Sequence, residues 1–273
     1  MIREFATPPT LAAAASAWLG DDPPPSAVPR AAATVLLVRD DDDGVEVFML
    51  RRQTSMAFAA GMYVFPGGGV DPRDAEPSLP WTGPSLADWG RWLGAEAAQA
   101  GAMVCAAVRE TFEECGVLLA GPDQVSVTDD VSGADWETDR QALITKDLAL
   151  TEMLDRRGLV LRSDLLRPWA HWITPEFEPR RYDTRFFLAA VPTGQRARHV
   201  GGEAAASGWW RPGEVLRGAA RGDVGLMPPT LVCVEELAAA GSVEALLSAP
   251  RTLSPVMPAA TRDGDRVTLR ADL

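Results

Sequence analysis

Ala106-Ala107-Val108-Arg109-Glu110-Thr111-Phe112-Glu113-Glu114-Cys115-Gly116-Val117, AAVRETFEECGV in one-letter form, is the stretch whose reading decides the rest. Val104, Val108 and Phe112 recur at four-residue steps, the period of a helix with one buried face, and Gly116 supplies a stop. On such a helix Glu110, Glu113 and Glu114 stand at i, i+3 and i+4, so they share one face. Three like charges that close repel one another unless a cation sits among them. Oxygen-only donors favour a hard divalent ion such as Mg²⁺ or Mn²⁺. Taken alone, the stretch also fits a solvated acidic face with Arg109 as a neighbour.

Working outward, Phe65-Pro66-Gly67-Gly68-Gly69 ends an apolar run upstream. Its glycines permit unusual backbone angles and close approach of the main chain to a ligand. Together the two elements resemble the Nudix box, G-x5-E-x7-R-E-U-x-E-E-x-G-U, where U is a bulky aliphatic residue. Gly68 matches the first glycine, and Arg109, Glu110, Glu113, Glu114, Gly116 and Val117 match the second half. Asp74 stands where the box has its first glutamate, and Thr111 where it has an aliphatic residue. Between Asp74 and Arg109 lie 34 residues, 75 to 108. The pattern has seven, so about 27 extra residues interrupt the box. A comparable insertion characterises the coenzyme A-hydrolysing Nudix enzymes of the peroxisomal type, which this chain resembles.

Other segments carry the same resemblance. Arg52 follows a strand-like run and Gly61 precedes Phe65 by four residues, as in coenzyme A-type Nudix proteins; Ala57 stands where the stricter motif has a second arginine. The string Trp172 to Ala189, WITPEFEPRRYDTRFFLA, is similar to the same subgroup. Apart from any resemblance, Arg180, Arg181 and Arg185 place three guanidinium groups near the start of an apolar strand. Guanidinium groups grip phosphate oxygens in bidentate fashion. The alternative is that they neutralise Glu176, Glu178 and Asp183. Glu203 precedes Trp209 by six residues, a placement similar to that of a further acidic residue that completes the metal site or serves as base in several Nudix enzymes.

Composition narrows the function classes. A chain of 273 residues, 47% of them hydrophobic, can bury the core of one large domain with additions. A formal net charge of −12 argues against a nucleic-acid surface, which needs a basic footprint. A phosphorylated small molecule then requires locally placed cations. Cys105, Cys115 and Cys233 lack zinc-type spacing and read as reduced packing residues. The apolar stretch Leu11 to Leu19 is short, lacks a basic leader and runs into Asp21-Asp22, so neither a membrane span nor a signal peptide is expected, and a soluble cytoplasmic protein is.

In chain order, residues 1–30 read as an alanine-rich piece and a proline linker, an arm. Ala33 to Val38 and Val45 to Leu50 read as a hairpin turned at Asp40 to Gly44. The insertion, 75–101, holds Leu86, Trp89 and Leu93 at helical steps; core packing is preferred to a cap over the site. Asp135 to Arg157 reads as one or two helices, Trp169 to Thr174 as a strand, and Leu231 to Ala240 as a helix with Thr230 as N-cap. Residues 251–273, with Asp263-Gly264 between two β-like pieces, read as an added hairpin.

The resemblance implies an α/β class protein with the Nudix fold, an α/β/α sandwich around a mixed sheet over 31–250. It implies metal-dependent hydrolysis of a pyrophosphate bond in a nucleoside diphosphate linked to another group, with Mg²⁺ or Mn²⁺ as cofactor. Glu110, Glu113, Glu114 and the Gly68 backbone would hold the metal. Arg109 would orient a glutamate and Glu203 would add a ligand or accept a proton. Arg52, Arg180, Arg181 and Arg185 are the candidates for substrate phosphates. Coenzyme A or an acyl derivative is the expected substrate; ADP-ribose, NADH or a nucleotide sugar is the alternative that Ala57 keeps open. A non-catalytic nucleotide sensor is the alternative of another class, opposed by the retention of all three box glutamates. Family members are often dimers, which implies a homodimer.

Overall fold

A computed structural model describes residues 1–53, 61–76, 79–198, 204–264 and 266–273, with the side chains of Pro9 and Ala204 excepted. The strands are β1 (Ile2–Ala6), β2 (Arg30–Asp41), β3 (Gly44–Arg52), β4 (Tyr63–Val64), β5 (Gly67–Gly69), β6 (Trp81–Thr82), β7 (Ala120–Gly121), β8 (Val160–Arg162), β9 (Arg167–Ile173), β10 (Tyr182–Ala190), β11 (Ala204–Trp210), β12 (Pro255–Val256), β13 (Ala259–Asp263) and β14 (Arg266–Asp272). The helices are α1 (Pro9–Trp18), α2 (Leu86–Leu93), α3 (Ala97–Cys115), α4 (Ala134–Ile144), α5 (Leu150–Arg157), α6 (Pro212–Arg221), α7 (Pro228–Ala238) and α8 (Val243–Ser248).

The central sheet has the order β11-β3-β2-β10-β9-β12, with β4 on β3 and β5 on β2. It is mixed: β2 runs antiparallel to β3 and parallel to β10. Strand alternation divides the interior into two cores. Ala33, Val35 and Leu37 of β2 join Phe48, Leu50, Phe187 and the apolar face of α3. Leu36 and Val38 join Val47, Met49, Phe186 and Leu188 beneath α1, α6, α7 and α8. Helices therefore cover both faces, the α/β/α sandwich expected, and burial on both sides is why β2 reads as an almost unbroken apolar run.

The segment read as an insertion splits between two roles. Ser85 caps α2 through a reciprocal box with Asp88, and Trp89 and Leu93 are buried in the first core. Its remaining residues from Ala97 onward are the first turns of α3, so the helix that carries the glutamates begins inside the insertion.

The two ends of the described chain meet in a second sheet, β1-β14-β13, with Gly264 at φ 56° in the β13–β14 turn. The expected hairpin is there, but the arm also supplies β1, whose pairing with β14 no local pattern announces. Thr230 lies inside α7, not at its N-cap, because Met227 takes that position ahead of Pro228. Among the described residues no helix is long and apolar enough to cross a membrane.

Candidate active site

Helix α3 positions the site because its sequence is small on one face and charged at one end. Val104, Val108 and Phe112 are fully buried against the sheet. Thr111 is buried as well, and its Oγ1 donates to the Ala107 carbonyl at 2.7 Å, which satisfies the hydroxyl where an aliphatic residue would have needed nothing. Gly116 stops the helix at φ 65°, its N–H donating to the Phe112 carbonyl at 2.9 Å. Arg140 of α4, buried, donates from Nη1 to the Glu113 carbonyl at 2.6 Å, a cation placed on the negative end of α3.

The glycine turn lies directly over this helix end. β5 pairs with β2 so that Gly68 stands opposite Ala33 and Gly67 opposite Thr34. A Cβ on Gly67 would fall 2.4 Å from the Ala33 carbonyl oxygen, and one on Gly68 would fall 2.4 Å from Glu110 Oε1. Neither position has room for a side chain. The Gly67 N–H donates to Glu114 Oε2 at 2.7 Å.

Arg109 joins the pieces. Its Nε and Nη2 donate to the two oxygens of Asp74, each at 2.9 Å, and Nη2 also donates to the Gly69 carbonyl at 2.9 Å. Nη1 donates to Glu110 Oε1 at 2.8 Å and to Glu113 Oε1 at 3.2 Å. Asp74 is thus the residue that holds Arg109, a task its short buried side chain performs from the single turn Pro72–Ala75. One cation faces three carboxylates. Burial works against the Arg109 charge, but the Asp74 hydrogen bond and the charges of Glu110, Asp74 and Glu113 overturn that and hold its pKa above the ordinary value. Burial also dominates at Glu110, pushing it up to about 7 although Arg109 opposes this, and it raises Glu113 in the same direction.

These observations fit a divalent cation. The donors are hard oxygens, Glu110 is buried and Glu113 partly so with one arginine between them, and the Gly68 main chain lies against Glu110. Among the described residues no three acidic, imidazole or thiol groups already close on one point. Glu114 leans on Gly67, while Glu110 and Glu113 lean on Arg109.

The carboxylates open into a cleft of about 750 Å³. Its lining includes Arg30, Arg52, Arg73, Arg109, Lys146 and Arg180, together with Asp71, Glu110, Glu113 and Glu114. Apolar wall is supplied by Leu50, Phe65, Trp172, Phe186 and Met227, with Tyr182 and Thr184 from β10. Six basic side chains against four carboxylates reverse the balance of a chain whose net charge is −12.

The expected phosphate contacts divide. Arg52 and Arg180 line the cleft. Arg181 does not: its Nε donates to the Thr174 carbonyl at 3.0 Å, and Nη1 to Ser26 Oγ and the Ala27 carbonyl at 2.8 and 2.7 Å, so it straps the proline linker to the sheet. Arg185 is also a correction. Alternation along β10 turns it away from the face that Tyr182, Thr184 and Phe186 present to the cleft. Its guanidinium is spent on the Leu93 carbonyl at 2.9 Å, on His171 Nε2 at 2.6 Å and on Asp183. Glu203 and Ala57 lie outside the described residues. Arg30, Arg73 and Lys146 were not singled out from sequence, since a lone basic residue at an element end carries no periodic signal.

Residues 95–237, just over half of the chain, match the family model described as the NUDT19 Nudix domain. The chain belongs to the Nudix family. The match takes in the whole box helix and starts downstream of Gly68 and Asp74, the half of the Nudix box that the insertion separates. Among proteins similar to this Nudix chain, the acyl-coenzyme A diphosphatase NUDT19 of Xenopus laevis is 24% identical over 67% of this chain and 57% of its own length. A putative nudix hydrolase 7 of Caenorhabditis elegans is 31% identical over 67% of this chain and 52% of its own. The chain therefore spans little more than half the length of these relatives. The crystal structure of a NUDIX hydrolase from Alicyclobacillus acidocaldarius superposes with a TM-score of 0.72 at 30% identity, covering 84% of this chain and 99% of that one.

Proposed function

We propose that the chain hydrolyses the pyrophosphate bond of a nucleoside diphosphate linked to a second group, with coenzyme A or an acyl derivative as substrate. The observation that carries this reading is the cleft itself, where an undercompensated cluster of carboxylates adjoins a basic, partly apolar wall. In the reaction, water adds to one phosphorus, the P–O bond to the bridging oxygen breaks, and the second phosphate leaves with that oxygen. The demand is for charge neutralisation, since the diphosphate repels an incoming hydroxide. A divalent cation held by Glu110, Glu113 and Glu114 would screen the diphosphate and lower the pKa of the attacking water.

The chain's own groups do the rest. Arg109 fixes Glu110 and Glu113 relative to the Gly69 carbonyl, and Gly67 and Gly68 let the phosphate-bearing end approach the main chain. Arg52 and Arg180 bind phosphate oxygens. Leu50, Trp172 and Phe186 cover the apolar part of the substrate. Glu203 is proposed as the further acidic group of the site. Support for coenzyme A comes from the relatives of Xenopus laevis and Gallus gallus, named acyl-coenzyme A diphosphatases and 24% and 27% identical. Ala57, in place of an arginine, favours ADP-ribose, NADH or a nucleotide sugar as the second reading.

Incubation with coenzyme A, ADP-ribose, NADH and nucleotide sugars in Mg²⁺ or Mn²⁺, with product masses recorded, tests both. Chelator-sensitive 3′,5′-ADP is expected; AMP from the other substrates alone moves the specificity. Glu114→Gln should fold normally and lose two or more orders of magnitude in rate, about the cost of removing one charge-stabilising group. Near-normal turnover by that variant rejects the site.

A further inference from the structure

Lys146 is the only lysine in the chain, against 25 arginines. It is also the only residue other than glycine with positive φ among those described, at 63°. The reason is local. Helix α4 ends on Thr145, the Lys146 N–H donates to the Leu143 carbonyl at 3.0 Å, and the Asp147 N–H donates to the Ala142 carbonyl at 2.8 Å. This is the paired closure of a helix in which the left-handed position is normally glycine or asparagine. A lysine there strains the backbone, since its Cβ crowds the following carbonyl. The helix dipole favours a cation near that end, but a basic residue in the last turn of α4 would meet it without left-handed strain.

What the position does supply is reach. Lys146 lines the cleft, and its Nζ lies 3.2 Å from Asp71 Oδ2. The Arg73 Nη1 donates to the Lys146 carbonyl at 2.9 Å, which pins the main chain while the side chain stays 71% exposed. Asp71 is satisfied without it: Asp71 accepts from the Arg73 N–H at 3.0 Å and from Arg73 Nε at 2.9 Å. The ammonium can therefore leave Asp71 for a stronger anion at no unpaired cost. Two cations thus meet on one carboxylate at that rim, and Lys146 is near enough to Glu113 to favour its charged form.

We propose that Lys146 is a substrate-binding residue that grips a phosphate oxygen of the nucleotide substrate at the cleft rim. The proposal deepens the reading of the cleft as a diphosphate site and rests on it. A surface ion pair with Asp71 alone is the competing role, and one substitution separates the two. Lys146→Gly removes the ammonium and at the same time relieves the left-handed strain.

The fold of Lys146→Gly should hold or gain, with Tm raised by roughly 1–3 °C. Its KM for the substrate that the wild type turns over should rise about 10- to 100-fold with a smaller change in kcat, the worth of a hydrogen bond to a charged group. Lys146→Arg should recover most of that. A lower Tm with unchanged KM would overturn the proposal. Independently of turnover, acetylation of the wild-type protein by an amine-selective reagent, followed by peptide mass analysis, should mark Lys146, and inorganic pyrophosphate with Mg²⁺ should protect it. If no substrate is turned over yet protection occurs, the hydrolytic reading falls and the anion site stands. If turnover is normal in Lys146→Gly and pyrophosphate protects nothing, the hydrolytic reading stands and Lys146 has no part in it.

Discussion

Arg109 and Arg185 are both buried arginines with their donors committed to protein, yet they sit in opposite electrostatic situations. Arg185 has one carboxylate, Asp183, one imidazole and one carbonyl. The charges there balance, and His171 adds a second hold on Asp183 at 2.6 Å. Burial is the largest influence on Arg185 and pulls its pKa below the ordinary value. Arg109 instead answers to Asp74, Glu110 and Glu113 at once, and its pKa is raised. A balanced buried pair is complete as architecture. A buried cluster with surplus negative charge is stabilised when something cationic joins it, and that surplus is the ground on which the ligand site is proposed there.

Removing each cation gives the largest contrast. Arg109→Met leaves Asp74 buried without its bidentate partner and should destabilise the fold by about 3–5 kcal/mol with loss of activity. Arg185→Met leaves Asp183 still held by His171 and should cost about 1–3 kcal/mol, measured by urea denaturation, with activity retained in the folded fraction. Equal losses would erase the distinction.

Gly68→Ala tests the same surplus by geometry. Its Cβ would meet the Glu110 carboxylate at 2.4 Å, so the carboxylate must move. Activity should drop at least about tenfold, since a displacement near 1 Å costs that much or more, while the circular dichroism spectrum is unchanged.

The smallest effect is a pH signature. Glu110 is raised to about 7 in the fold and lies in the ordinary carboxylate range when unfolded. Its contribution to stability is therefore fully present below about pH 4.5 and is lost as pH rises through about 7. Without divalent ion, Tm should decline over that window in wild type and not in Glu110→Gln; Mg²⁺ should restore Tm on the alkaline side. A Tm that is flat through this window, with or without Mg²⁺, would show that Glu110 carries no such surplus.

Much of the fold was legible because strand alternation and helical steps survive in the sequence. The β2–β3 hairpin, α3, the Gly116 stop and the mixed sandwich follow from such patterns or from the box they resemble. The glutamate face was legible for the same reason: spacing along one helix is local information. The arginines were not. Arg180, Arg181 and Arg185 look alike in sequence, but strand parity turns Arg185 away, and Arg181 meets Ser26 only through a contact about 150 residues distant. Lys146 was hidden because left-handed backbone in a non-glycine residue has no sequence signature. The joining of β1 to β14 was hidden by distance along the chain.

That distance has a kinetic consequence at the centre of the molecule. β2 is hydrogen-bonded along its length to β10, pairing Arg30 with Tyr182. Such separation makes sheet closure slow, because loop-closure entropy must be met before the contact forms. During synthesis the hairpin and the glutamate helix emerge first and wait, with one edge of β2 unpaired, until the strand bearing Tyr182 clears the ribosome. Over that interval the exposed edge is the point at which the nascent chain is open to misassociation and to chaperone capture.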